Sequence, residues 1–231
     1  MNSQNHSDKS NHMLSLNRRT TIKIMILLFF CVAAICFFSF RTYGTDEGLN
    51  SFESQLIDEI NKIRKDPQSY IPLLEKFKLS FQGKTIILQG NIHIQSREGT
   101  AVVDEAIEYL RTVKAASALG TARCLVSSAE DLHNDQKTTG KIGHKGSDGS
   151  SPSQRIKNRC GVKKKTGESL AYGMYAGDTP AAVIMQLVVD DGVKDRMHRI
   201  RLFDPGFKFT GVACGDHPKF GFMCVINSSG E

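Results

Sequence analysis

Two histidines and a pair of acidic residues in the second half of the 231-residue chain have the side chains that metal binding or acid–base chemistry requires. His144 lies in a stretch rich in Gly and Ser, and His198 follows a turn-like stretch, so neither stands on the apolar face of a helix. Asp190, three positions after Leu187, is predicted at the edge of an apolar helix face, with Asp191 as the alternative occupant. A carboxylate there loses water and needs a donor or a cation to stay charged. Two imidazoles with acidic residues therefore predict a site for a divalent ion such as Zn²⁺.

Other interpretations of these residues stay open. The chain has no HxH or HExxH spacing that would fix two imidazoles on one ion, so each histidine can equally be a hydrogen-bonded structural residue. His133 is predicted at the surface or in an outer shell, and His93 and His217 as structural residues. No nucleophile with an assigned base stands out, because the candidate hydroxyls are better explained as loop formers: Ser147, Ser150 and Ser151.

The hydrophobic pattern predicts the elements that must position these side chains. Thr100 is predicted to cap one helix, and Thr179 followed by Pro180 to begin another that ends at Gly192. The pattern also predicts helices near 56–63, 70–77 and 123–135, a small hairpin at 84–95, an irregular loop at 143–152, and paired strands at 208–213 and 222–226.

The formal net charge of +6 lies mainly in the first part of the chain. Residues 1–41 hold five of the 30 Lys and Arg residues but one of the 24 Asp and Glu residues, which leaves +2 for residues 42–231. The globular part is therefore almost neutral, and we expect no nucleic-acid partner. A composition with 40% hydrophobic and 23% charged residues also excludes a disordered or low-complexity chain.

An uncharged, strongly apolar stretch of 17 residues runs from Ile24 to Phe40. A helix of that length spans about 26 Å, and with residues 22 and 23 it approaches the roughly 30 Å of a bilayer core. The sequence predicts a short cytosolic segment at 1–21, a transmembrane signal-anchor at 22–40, a tether at 41–52 and a globular domain at 53–228. The membrane is thus a predicted partner through this helix.

The positive residues precede the apolar stretch, so the positive-inside rule places the N-terminus in the cytosol and the globular domain in the lumen or outside the cell. The alternative is a signal peptide cleaved after Thr42-Tyr43-Gly44, which would release the domain as a secreted protein. Both interpretations predict export.

Four cysteines remain outside the apolar stretch, and in an oxidising compartment they allow three pairings. Cys214 and Cys224 flank a turn-rich segment between two alternating runs, which favours a disulfide across a hairpin. Cys124 and Cys160 would pair by elimination. The alternative is four buried free thiols. Export would also make Asn227, in Asn227-Ser228-Ser229, a glycosylation acceptor.

Several short motifs occur in an order that resembles the CAP superfamily, which contains the cysteine-rich secretory, antigen 5 and pathogenesis-related class 1 proteins. The resemblance covers roughly residues 53–228 and is to the microbial type of SCP-like domain. The motifs that carry it are Asn61-Lys62-Ile63-Arg64, Gly143-His144, Gly167-Glu168-Ser169-Leu170, Met197-His198-Arg199 and Gly211-Val212-Ala213-Cys214.

The resemblance implies an α+β fold, a three-layer α-β-α sandwich, with a cavity of two histidines and two acids. His144 and His198 match the histidines, Glu168 matches one acid, and Asp190 aligns with the other, which is usually Glu. Without the resemblance, Glu168 would be interpreted as an exposed loop or helix-start acid. Departures lie around His198, which lacks the aromatic and Trp-containing signature of the family.

Three functions follow as hypotheses. The first is a binding or interaction module whose cavity holds a divalent ion at His144 and His198, or a lipid or sterol as in some family members. The second is a metal-assisted hydrolase in which Glu168 or Asp190 is the base. The third is a structural cell-surface domain with a non-functional cavity. Of these we expect the binding module, and no catalytic residue is assigned.

Overall fold

The fold is that of a computed structural model, which describes residues 48–161, 165–173 and 179–230. The predicted membrane anchor at 22–40 lies outside these residues, as does most of the tether. Seven α-helices are described: α1 Ser51–Lys65, α2 Ile71–Lys78, α3 Thr100–Thr112, α4 Arg123–Thr139, α5 Pro152–Cys160, α6 Pro180–Val189 and α7 Met197–Leu202. Short 3-10 turns lie at Pro67–Tyr70 and Gln89–Asn91. Within the described ranges, none of the helices is both long and apolar enough to cross a bilayer.

Seven strands form two sheets. The strands are β1 Phe81–Gln82, β2 Thr85–Leu88, β3 Ile92–Gln95, β4 Gly120–Thr121, β5 Thr166–Tyr172, β6 Phe209–Gly215 and β7 Met223–Ser229. The first three make a small antiparallel sheet, which confirms the predicted hairpin and adds one short strand to it. The other four make the main sheet in the order β4-β6-β7-β5, so β5 is an edge strand.

Helices cover both faces of the main sheet, because side chains alternate along its strands. Val212 and Ile226 belong to the larger core, which they share with α1, α3 and α6. Ala213 and Val225 point the other way and pack against Ala129 of α4. The chain therefore has the mixed α and β composition that was predicted, with the sheet between two helical layers.

Three details of the helices differ from the prediction. Helix α6 ends at Val189, not at Gly192, because Asp190 takes a left-handed conformation with φ of 56° and caps the helix. Thr100 is the first residue of α3, and the N-cap is Gly99. Helix α1 begins at Ser51, inside the predicted tether, because Asn50 and Glu53 form a capping box there.

Helix α5 was not predicted at all. Its N-cap is Ser151, whose side chain accepts the backbone N–H of Gln154, while the Gln154 side chain accepts the backbone N–H of Ser151. Pro152 occupies the first helical position, and Gly161 ends the helix in a left-handed conformation. These residues are the usual signals for the start and end of a helix. The helix is short and polar, however, so no apolar stripe in the sequence indicates it.

Both predicted disulfides are present, and the interpretation as free thiols is wrong. Cys214 and Cys224 face each other on β6 and β7, as the predicted hairpin requires. Cys124 at the start of α4 is joined to Cys160 at the end of α5, at a sequence separation of 36. The second disulfide therefore fixes α5 to the longest helix of its layer.

His133 lies inside the fold, so its predicted surface position is wrong. It faces the sheet from α4, against the backbone of Gly215, and is 8% exposed. Its Nε2 atom has no hydrogen-bond partner within the described ranges. Burial, with a smaller contribution from the charge of Lys137, lowers the pKa of His133 below its usual value of 6.5.

We expect the free energy of unfolding to fall as the pH decreases through about 6.5, because unfolded His133 takes up a proton there and the folded side chain does not. The contribution is fully present above that pH and is lost below it, by up to about 1.4 kcal/mol per pH unit, until the folded imidazole also protonates. Urea unfolding between about pH 5 and pH 8 measures it. His133→Gln should flatten the dependence, and His93→Gln, at an exposed imidazole, should keep it. An unchanged profile in His133→Gln would show that another group is responsible.

Candidate functional site

A cavity of about 260 Å³ lies along the outer edge of β5, between the two helical layers. The loop that carries His144 bounds it on one side, and the end of α6 with the start of α7 bounds it on the other. Leu170 and Tyr172 of β5 form its wall. The complete lining is Gly143, His144, Leu170, Tyr172, Gln186, Leu187, Asp190, Asp191, Val193 and His198.

His144 is held by Glu168, a buried acid of β5. The Nδ1 atom of His144 lies 2.9 Å from Oε1 of Glu168. The carboxylate is 1% exposed, while the imidazole is 43% exposed. The interpretation of Glu168 as an exposed loop or helix-start acid is therefore wrong: it is a strand residue whose carboxylate lies behind the imidazole.

Arg155 of the unpredicted helix α5 balances the charge of Glu168. Its Nη2 atom donates to Oε2 of Glu168 at 2.8 Å and to the backbone oxygen of His144 at 3.0 Å. Its Nη1 atom donates to the backbone oxygen of Ser150 at 2.9 Å. One buried guanidinium thus neutralises the acid and fixes both ends of the loop that carries His144.

His198 is held by Asp190 in the opposite layer. The Nδ1 atom of His198 lies 2.7 Å from Oδ1 of Asp190, and the other carboxylate oxygen accepts the backbone N–H of His198 at 3.0 Å. Asp190 is 3% exposed and reaches this position because its left-handed backbone ends α6. Asp191, the alternative occupant, instead accepts the backbone N–H groups of Arg97 and Glu98 while it lines the cavity.

The two histidine–carboxylate pairs give both imidazoles the same tautomer. An ionised carboxylate only accepts hydrogen bonds, so each Nδ1 carries the proton that it donates. The Nε2 atoms of His144 and His198 remain for a ligand, and neither has a hydrogen-bond partner among the described residues. In the neutral imidazole Nε2 accepts a hydrogen bond or binds a cation, and in the protonated form it donates.

The donor set fits a metal ion only in part. Carboxylates that orient the far nitrogen of an imidazole are the usual outer shell of metal-binding histidines. However, no group of three or more His, Cys, Asp or Glu side chains in the described ranges is arranged to hold an ion. Two imidazoles are fewer than the three protein ligands that catalytic zinc sites use. The site itself therefore supplies at most part of a metal coordination sphere.

Tyr172 and Gln136 hold the backbone next to His144. The hydroxyl of Tyr172 accepts the N–H of Gly143 at 2.9 Å and donates to Oε1 of Gln136 at 2.7 Å. Nε2 of Gln136 donates in turn to the oxygen of Gly143 at 2.6 Å. Burial raises the pKa of Tyr172, so its hydroxyl stays protonated. The alternation of residues 166–172 could have placed Tyr172 and Glu168 on one face of a strand, but no sequence signal pointed to Gln136.

Asn227 is a buried partner of Glu168, so its interpretation as a glycosylation acceptor is contradicted by the fold. The side chain is fully buried on β7. The hydrogen-bond network orients its amide so that the nitrogen donates to Oε2 of Glu168 at 3.1 Å and the oxygen accepts from Ser128 and Ala129. A glycan cannot be accommodated at this position in the folded domain.

His217 and His93 have the structural roles that were predicted for them. His217 is buried, and its Nε2 lies 3.0 Å from the backbone oxygen of Lys141 while its Nδ1 accepts the N–H of Lys219. His93 is exposed and bonds to Asn91 within the small hairpin. Neither lines the cavity.

No protein-family model and no curated protein matches the chain. Solved structures that are similar to it include an outer surface protein of Borrelia burgdorferi, 18% identical with a TM-score of 0.39 over 48% of this chain and 75% of that one. An extracellular protein containing an SCP domain from Bacillus anthracis is 17% identical with a TM-score of 0.41, over 56% of this chain and 39% of that one. A cysteine-rich secretory protein from Staphylococcus aureus is 14% identical with a TM-score of 0.36, over 60% and 41%.

The resemblance to SCP and cysteine-rich secretory proteins predicted from the motifs is thus confirmed as a similarity. The chain spans about two fifths of those two structures. With TM-scores below 0.5 the likeness bears on neither ligand nor activity. What the cavity does rests on its own residues.

Proposed function

We propose that this chain is an exported, SCP-like binding module that takes a ligand into the cavity between His144 and His198. The observation that carries the proposal is the pair of imidazoles from opposite layers, each held at Nδ1 by a buried carboxylate, on one cavity. Because both rings are already fixed in the free protein, less side-chain conformational entropy is lost when a ligand binds. Export by the predicted anchor at 22–40, or by a cleaved signal peptide, is part of the same proposal.

The size and lining of the cavity restrict the ligand. A volume of about 260 Å³ is slightly below the roughly 300–1,000 Å³ of pockets that enclose drug-sized ligands. Leu170, Leu187 and Val193 supply apolar wall, and the imidazoles supply the directional polar contacts. The cavity therefore suits a small ligand or one end of a larger one. A lipid or sterol, as predicted from the resemblance, would place only its polar end here.

A divalent ion is the second candidate ligand, favoured by the carboxylates behind both imidazoles. His144 and His198 would hold the ion, which would supply Lewis-acid chemistry and take its other ligands from water or from a bound molecule. The metal-assisted hydrolase stays a hypothesis of the same kind. A covalent mechanism has less support, because the cavity lining among the described residues contains no Ser, Thr or Cys.

We expect His144→Ala and His198→Ala each to remove most of the binding to this cavity, because each deletes one of the two ligand-facing nitrogens. Ligand-observed NMR measures the loss when a soluble fragment library is screened against the full chain in detergent. Equilibrium dialysis with Zn²⁺ measures metal binding in the same variants. Loss of a neutral hydrogen bond should weaken a fragment about 3- to 10-fold.

His93→Ala is the matched control, because it removes an exposed imidazole that does not line the cavity. It should leave both fragment binding and zinc uptake unchanged. Fragment hits that compete for one site but are insensitive to both cavity histidines would contradict the proposal. Zinc uptake that is equal in wild type and in both variants would exclude the metal candidate alone.

A further inference from the structure

The outer edge of β5 carries main-chain groups that the sheet does not use. The N–H of Gly173 donates to the oxygen of Phe222, and the N–H of Gly230 donates to the oxygen of Lys165. In an antiparallel ladder hydrogen-bonded pairs alternate, so the odd-numbered residues of β5 bond to β7. The even-numbered residues direct their N–H and C=O groups away from the sheet: Thr166, Glu168, Leu170 and Tyr172.

Side chains occupy this edge at two points and leave its middle open. Nη1 of Arg201 donates to the oxygen of Glu168 at 3.1 Å, and Nε2 of Gln186 donates to the oxygen of Tyr172 at 3.1 Å. Between them, the N–H and C=O of Leu170 have no hydrogen-bond partner among the described residues.

Leu170 is 7% exposed and lines the cavity. More than about nine in ten buried main-chain groups in proteins are paired with protein groups or with ordered water, so this N–H and C=O are available to water or to a ligand in the cavity. A purely hydrocarbon ligand would leave the N–H and C=O of Leu170 without hydrogen bonds, which costs free energy in a buried site. An extended peptide provides the complementary pair, because each of its residues offers an N–H and a C=O at the spacing of a strand.

We propose that the cavity binds an extended peptide segment of another protein, which adds to β5 as a strand and pairs with the main chain of Leu170. This inference rests on the proposed function, since it names the ligand class of the same cavity. The points occupied by Arg201 and Gln186 are four residues apart, or about 13 Å along the strand. About three residues of a longer segment therefore fit between these points, with the middle residue opposite Leu170.

Hydrogen exchange of the Leu170 amide in the full chain tests the proposal directly. The probe is a pool of random hexapeptides blocked at both ends, and the comparison is the same pool with N-methylated backbones, which cannot donate. We expect the first pool to slow exchange at Leu170 by at least about tenfold and the second to have little effect. No slowing, or equal slowing by both pools, would overturn strand addition. So would an amide already protected in the free chain, because a segment of the chain itself would then cover the edge.

Two proline substitutions distinguish peptide binding at the cavity from peptide binding elsewhere along the outer edge of β5. Leu170→Pro removes the N–H that faces the cavity without touching the ladder, and proline is tolerated on such an edge. Thr166→Pro is the matched control, because its N–H also points outward but it does not line the cavity. We expect peptide binding to weaken about 5- to 10-fold in the first variant and to stay unchanged in the second. If Leu170→Pro fails to fold, the exchange measurement on the wild-type chain decides.

The histidine variants distinguish failure of this inference from failure of the proposed function. Suppose that fragment binding is lost in His144→Ala, while peptides leave the Leu170 amide unprotected. The cavity would then still be a binding site, but strand addition would be overturned. Peptides that protect Leu170 equally in wild type and in His144→Ala would support strand addition and contradict the role of the imidazole. Protection by phosphatidylcholine vesicles but not by peptides would identify a lipid and overturn the inference.

Discussion

Arg155→Leu should lower the free energy of unfolding by about 3–5 kcal/mol, because it leaves the carboxylate of Glu168 buried without its cation. Arg155 and Glu168 are 6% and 1% exposed, so water cannot replace the lost partner without opening the layer. The same change removes the donors to the backbone oxygens of His144 and Ser150. The loop with His144 should therefore become mobile along with the loss of stability. Urea unfolding and the exchange rates of amides in residues 143–151 measure the two effects.

Arg159→Leu is the control for this prediction. Arg159 lies one turn further along α5 and also pairs with an acid, Asp131, but its side chain is 51% exposed. Solvent screens a surface pair, so we expect a much smaller loss of stability than in Arg155→Leu and no change in the loop. Equal losses in the two variants would show that α5 is stabilised by general packing and not by the buried pair.

The dependence of His144 on Arg155 explains which part of the site could be predicted from the sequence. His144, His198, Glu168 and Asp190 belong to ordered motifs, and the structure brings all of them to one cavity as two pairs. Arg155 belongs to no such motif. Its role depends on a short polar helix that hydrophobic periodicity does not detect, although the capping residues at its two ends were visible in the sequence.

The position of Asp190 shows the limit of periodicity more clearly. The apolar pattern of α6 predicted that Asp190 lies on the last helical turn, and Gly192 looked like the residue that ends the helix. The chain instead turns at Asp190 itself, since Asp can adopt the left-handed conformation. The carboxylate contacts of Asp190 with the backbone and ring of His198 stabilise that turn, and they join residues eight positions apart. Local sequence preference carries no information about such a contact.

The unpaired edge at Leu170 was also beyond prediction, for a different reason. The alternation of the strand shows which side chains share a face, but the identity of the neighbouring strand decides which amides point outward. Here β5 pairs with β7, the last strand in sequence, and the other side of β5 stays open toward the cavity. Long-range pairing of this kind follows from the whole fold and not from residues 166–172.

The disulfide between Cys124 and Cys160 should contribute about 4 kcal/mol to stability, because it closes a loop across 36 residues. In the chain-entropy model a cross-link removes conformations from the unfolded chain, and the gain rises with the logarithm of the loop length. Both cysteines are half-buried, so Cys124→Ala/Cys160→Ala should leave little cavity and lose mainly this contribution. The disulfide also fixes the end of α5. The variant should therefore weaken the hydrogen bonds that Arg155 donates to the backbone oxygens of His144 and Ser150.

Urea unfolding of Cys124→Ala/Cys160→Ala with and without a reducing agent tests the prediction, because the variant retains one disulfide. The bond between Cys214 and Cys224 spans a separation of 10 residues, for which the same model gives about 3 kcal/mol. We therefore expect the variant to lose about 4 kcal/mol under oxidising conditions and about a further 3 kcal/mol on reduction. Wild type and variant should then be nearly equal when both are reduced. A variant as stable as the oxidised wild type would show that the contacts of α5, and not its disulfide, hold this helix against α4.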